Sequence, residues 1–316
     1  MTTDPTGARN ETLVRTDGSH VTELGGRQVH LQVWPGDAAA GGAPVLLLGG
    51  CAVPSYAFRA VVTALPGRWL VALDRPGMLD TPWPGHLPTL AEEVATLLEL
   101  CQAVGRPPLV VAHSMAGPHV EALVREHPGS VRGLVLLDAS IEVEASAPRA
   151  ATEQAWLAAA RAALDGARLP PFAAAASAAA RVMVWSQSQR LHLTYTRPPR
   201  ARELFRRPDT LASIVAEQAA YAAQLADLQT LLGTTTWPGT PSLVLTAGSR
   251  AAWVRKQRVL AHRLGARQVV VDDSRHLMMV DRPDLVAESV LALLASTEAR
   301  SPEPHPDPEP DRGSTP

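Results

Sequence analysis

Only two cysteines, Cys51 and Cys101, occur in 316 residues. That is too few for the disulfide framework of a small secreted domain and suits a reduced compartment. Long apolar runs are also missing, since none approaches the length of a membrane span. The first twenty residues, MTTDPTGARNETLVRTDGSH, lack an apolar h-region. Neither sign of charge dominates: the net charge is -2 and the pI about 6.6. No basic stripe therefore argues for nucleic acid, and no polybasic segment for a membrane surface. No metal-ligand spacing occurs and no G-x-G-x-x-G follows a strand pattern, so neither a metal nor a cofactor is expected. These absences predict a cytoplasmic protein that meets a small-molecule substrate, with its oligomeric state left open. What is present is hydrophobic residues at 46% against 19% charged, enough for a large core.

The stretch around which the chain is organised is VVAHSMAG, Val110 to Gly117. A short apolar run leads into a serine flanked by small residues, and an Ala-rich helical segment follows. Strand, sharp turn with a serine, helix is the layout of a nucleophile elbow, which crowds the backbone two residues either side of the serine. Ala112 and Ala116 stand where glycines are usual, with Gly117 one step later. The competing reading is a buried strand followed by a serine that caps a helix.

Around this centre the pattern alternates. Residues 1–18 read as a disordered arm. Val21 to Trp34 alternates apolar and polar residues around Gly25-Gly26, which predicts a hairpin. Apolar runs ending at Leu48, Asp74, Val111 and Asp138 read as buried strands, with helical segments between them. Crossovers of that length predict parallel strands covered on both faces. From 141 to 240 Ala-rich helical stretches replace the strand pattern. Pro241 to Gly248 resumes it, a helix follows over Val254 to Leu264, and Arg267 to Val271 gives a further strand. The last helix is predicted over Asp284 to Leu294. The tail, 299–316, is Pro-rich and acidic and reads as disordered.

Four landmarks in order resemble the α/β-hydrolase fold. LLLGGCAVPSYAFR resembles the family's oxyanion stretch, with Gly49 where a histidine is usual. LDRPGMLDTPWPG resembles the turn after the next strand. The serine elbow is third, and SRHLMMVDRPDLVAE resembles the loop that presents the catalytic histidine. The resemblance implies a mostly parallel eight-stranded sheet flanked by helices, formed by residues 19–140 and 241–298. A helical cap, 141–240, would be inserted after strand 6. It also implies an esterase, lactonase or thioesterase acting on a small apolar acyl group.

In that frame Ser114 is the candidate nucleophile and His276 the base that takes its proton. The backbone N–H groups of Cys51 and Met115 are the implied oxyanion donors. His113 reads as a packing residue. The acid is the open position. Arg250 adjoins the usual acid slot, and Asp272 and Asp273 lie in the histidine's own loop. Asp138, at the end of the strand after the elbow helix, is the leading candidate, ahead of Glu142, Glu144 or no acid at all. A serine at the elbow argues against dehalogenase and epoxide hydrolase chemistry, which use an aspartate there. Trp156, Phe172, Trp185, Tyr195, Phe205 and Tyr221 are candidates for a pocket lining or for ordinary packing. Two other classes remain: a lyase, cyclase or acyltransferase of the same fold, and a ligand-binding protein without catalysis.

Overall fold

The structure is a computed structural model and describes residues 5–37, 42–142, 150–166, 168–189, 203–248 and 250–299. Eight strands form one sheet: β1 (Gly18–Leu24), β2 (Arg27–Trp34), β3 (Val45–Leu48), β4 (Leu70–Asp74), β5 (Leu109–His113), β6 (Gly133–Leu137), β7 (Ser242–Ala247) and β8 (Arg267–Val271). Their order is β1-β2-β4-β3-β5-β6-β7-β8. β1 pairs antiparallel with β2 and β2 with β4, and every later pair is parallel. This is the sheet the alternating pattern predicts. The central strands β3, β4, β5 and β6 are buried at every position, as their unbroken apolar runs require when helices cover both faces.

The helices are α1 (Pro5–Leu13), α2 (Arg59–Thr63), α3 (Leu90–Ala103), α4 (Ala116–Glu126), α5 (Ala150–Gly166), α6 (Pro170–Ser186), α7 (Pro208–Thr234), α8 (Ala251–Arg263), α9 (Met278–Asp281) and α10 (Pro283–Glu298). Local chemistry sets several of their ends. Thr89 accepts from the Glu92 N–H while Glu92 reaches back to the Thr89 N–H, a reciprocal cap that starts α3. Proline at the first position opens both α7 and α10, where a missing N–H costs nothing. The described residues between β6 and β7 hold α5, α6 and α7 and no strand. α7 packs along α5 and rests on α3 and α4. Residues 143–149 and 190–202, within the expected 141–240 insertion, lie outside the described residues, as does the tail from 300.

One expectation is overturned. The N-terminal stretch is not a disordered arm throughout, because Pro5–Leu13 is helical. Hydrogen bonds hold it. Asn10 donates through Nδ2 to the Glu23 carbonyl at 3.0 Å and its Oδ1 accepts from Thr22. Val14 is fully buried, and its carbonyl accepts from the Trp69 indole at 2.7 Å. Such anchoring rests on a few polar contacts, which composition does not reveal.

Candidate active site

β5 delivers Ser114 at its C-terminal end. The serine adopts φ 52°, a left-handed conformation that costs a non-glycine residue about 1 kcal/mol or more. Three bonds hold it there. Ser114 N–H donates to the Leu137 carbonyl at 3.0 Å, while its own carbonyl accepts from Gly117 N–H at 3.0 Å and Ser140 N–H at 2.9 Å. Gly117 is required where the elbow helix meets the end of β6, since a Cβ would lie 2.6 Å from the Ala139 Cβ. Alanine at 116 is accommodated because the close approach to Ala139 falls one residue later, at Gly117.

The loop after β3 presses on the serine from the other side. A Cβ on Gly50 would lie 2.6 Å from Ser114 Cβ and 3.2 Å from the Met115 nitrogen. The backbone at Cys51 is thereby brought beside the start of α4. Among the described residues no protein acceptor takes the N–H of Cys51 or of Met115. The Cys51 thiol donates to the Ile214 carbonyl at 4.0 Å. Burial and then the neighbouring Glu217 push it well above the usual thiol range, which disfavours a thiolate.

His276, half-buried in the loop after β8, donates from Nδ1 to Asp138 Oδ2 at 2.6 Å. Asp138 ends β6 at φ 44°. Its second oxygen accepts from Ala247 N–H at 3.0 Å and from the Trp253 indole at 2.6 Å. The carboxylate is thus held on β6, β7 and α8 at once, aimed at the ring nitrogen. The other carboxylate candidates are engaged elsewhere. Glu142 pairs with Lys256 at 2.7 Å and Asp273 with Arg282 at 2.7 Å, and Glu144 lies outside the described residues. Arg250 is the exposed N-cap residue of α8.

Two parts of the site escape a sequence reading. His113 is buried, as a packing residue should be, but its ring also joins the loop after β3 to the loop after β8. Its Nδ1 accepts a long 3.4 Å bond from Gly50 N–H, and its Nε2 lies 3.0 Å from the His276 carbonyl. A neutral ring protonated at Nε2 satisfies both. Burial first, then His276 with its ring centroid 4.5 Å away, hold His113 well below the usual histidine range. The second part is a buried charge cluster. Arg75 pairs with Glu217 at 2.6 Å and Glu93 at 3.2 Å. It also donates to His119 Nδ1 at 2.8 Å and to the Met115 sulfur at 3.7 Å. Burial works against the Glu93 carboxylate, yet Arg75 and Arg27 hold it well below its usual range. The cluster ties α3, α4 and α7 to the residue after Ser114. The only sequence signals for it were a charged residue after β4 and carboxylates on otherwise apolar helix faces.

Of the aromatic candidates, Tyr221 is half-buried. Trp156 and Phe172 stand in solvent, Phe205 is buried in the core, and Tyr195 lies outside the described residues. A cavity of about 640 Å³ opens beside the catalytic pair, bounded by Asp138, His276, Arg250, Trp253 and Arg275. Among the described residues no group of histidine, cysteine and carboxylates could hold a metal, and no helix is long and apolar enough to cross a membrane.

A model described as the alpha/beta hydrolase family matches residues 45–289, most of the chain. The chain belongs to the alpha/beta hydrolase family. No curated protein matches this hydrolase significantly, but solved structures do. An esterase from Thermogutta terrifontis, solved with malate bound, superposes with a TM-score of 0.65 at 17% identity, over 88% of this chain and 99% of its own. The haloalkane dehalogenase DbeA from Bradyrhizobium elkani USDA94 gives 0.64 at 18% identity, over 90% and 99%. The epoxide hydrolase CorEH gives 0.61 at 19%, over 88% and 98%. At such identities the likeness is one of fold.

Proposed function

We propose that this alpha/beta hydrolase cleaves ester or thioester bonds of a small acyl substrate through a Ser114 acyl-enzyme. The reading rests above all on the 2.6 Å bond from His276 Nδ1 to Asp138, beside a serine on a left-handed turn. With Nδ1–H committed to Asp138, Nε2 is the free base. It takes the Ser114 proton as the hydroxyl attacks the carbonyl carbon and returns it to the leaving group. Asp138 stabilises the imidazolium formed in between. The N–H groups of Cys51 and Met115 meet the oxyanion where charge develops. Deacylation repeats the sequence with water as nucleophile. The structural neighbours include dehalogenase and epoxide hydrolase members, whose chemistry calls for a carboxylate at the elbow. The hydroxyl of Ser114 favours acyl transfer instead. The helices between β6 and β7 serve in this reading as the roof of the acyl pocket.

A fluorophosphonate probe tests the assignment. It should label Ser114 and leave Ser114→Ala unlabelled, and short p-nitrophenyl esters should be turned over only by the wild type. Labelling that persists in Ser114→Ala refutes the nucleophile.

A further inference from the structure

The cavity beside the catalytic pair has a charge the proposed reaction does not use. Arg250 comes from the loop after β7 and Arg275 from the loop after β8, immediately before His276. Both are exposed, and among the described residues neither forms an ion pair. The Arg275 guanidinium donates to the Ser186 carbonyl at 3.3 Å, and its backbone N–H to Asp281 Oδ2 at 2.8 Å. By contrast, Arg282 in the same histidine loop holds Asp273 and Asp284.

The one acid on the cavity wall does not neutralise the guanidinium pair. Each Asp138 oxygen is already met by a donor, from His276 on one side and from Ala247 and Trp253 on the other. Arg250 and Arg275 against Asp138 give the walls two positive charges and one negative, a net charge of one. The N-terminus of α8 adds a partial positive charge of the same sign. A volume of about 640 Å³ falls within the range of small-ligand pockets.

We propose that Arg250 and Arg275 bind a single carboxylate on the substrate, so that the preferred esters are half-esters of dicarboxylic acids or similarly anionic acyl compounds. This rests on the serine-hydrolase reading and names its substrate class. Guanidinium groups suit the task because their planar N–H donors match a carboxylate, and one carboxylate balances the net charge of the walls.

Two p-nitrophenyl esters of similar acyl length, the hemisuccinate and the valerate, test the proposal once spontaneous hydrolysis is subtracted. The expected result is a kcat/KM ratio favouring the hemisuccinate by roughly tenfold or more at low salt. That ratio should collapse toward one in the Arg250→Gln, Arg275→Gln double variant, and also in about 0.5 M salt, which screens exposed charges. A wild-type ratio of one or less overturns the carboxylate site, as does a preference the double variant retains. Ser114-dependent turnover of the valerate in either case leaves the hydrolase reading standing. Failure of both esters to turn over would remove the two together.

Discussion

Ser19, His30 and Asp74 repeat the side-chain order of Ser114, His276 and Asp138. Each histidine gives Nδ1 to a carboxylate, at 2.7 Å in the first set and 2.6 Å in the second, and Ser19 Oγ contacts His30 Nε2. The backbones differ. Ser19 sits within β1 opposite Gln32, with its strand in the antiparallel ladder. Ser114 sits beyond a strand end at φ 52°, next to two N–H groups that no described acceptor takes. His30 and Asp74 are almost wholly buried, and Asp74 spends its second oxygen on Ser55 N–H at 2.6 Å. His276 borders an open cavity. The first set pins the N-terminal hairpin to β4. Only the second has unclaimed N–H groups beside its serine and a cavity against its histidine.

The sharpest break between the two sets should come at the serines. Ser114→Ala is expected to lower turnover by about 10⁴-fold or more, while Ser19→Ala leaves rate and fluorophosphonate labelling near wild type. Comparable losses in both would erase the distinction. The aspartates come next. Asp138→Asn should cut kcat by roughly 10²–10⁴-fold with little change in Tm, because the amide cannot hold the ring in its working tautomer. Asp74→Asn should do the reverse, removing about 1–3 kcal/mol of stability by denaturant titration while sparing kcat. A smaller effect is expected at the bridge between loops: His113→Phe should lower kcat by about tenfold, since the aromatic ring keeps the packing but loses both polar contacts.

The mildest prediction concerns pH. Burial and then Arg75 push His119 down to about 4 from 6.5, and His113 is lowered in the same direction. In that window the unfolded chain binds protons that the native state does not. Stability therefore falls as pH drops from 6.5 toward 4. His119→Gln, by Tm against pH, should flatten that slope. An unchanged slope would show that other groups set it.

The apolar runs made the sheet legible, because strands buried on both faces cannot hide among polar residues. The order of landmarks singled out Ser114 and His276 as candidates. Asp138 could only be ranked above its rivals, since its role depends on a contact with His276 138 residues away in the chain. His113 was read for its burial alone. Its ring edges reach Gly50 and the His276 carbonyl across loops that no local pattern relates. The α1 helix was missed for a similar reason: Asn10 within it and Val14 just after it are held by contacts to β1 and Trp69, distant in the chain.

Placing the acid at the end of β6 gives nucleophile and acid to one continuous strand–helix–strand unit, Leu109 to Asp138. The loop after β7 then need supply no acid, since the N–H that meets Asp138 there belongs to Ala247, the last residue of β7 itself. Its side chains can change without dismantling the proton relay. In evolutionary terms the two tasks are decoupled. If the proposed roles hold, selection can redraw which acids the pocket accepts at position 250 while the proposed triad is inherited intact, and a designer has the same freedom at the same loop.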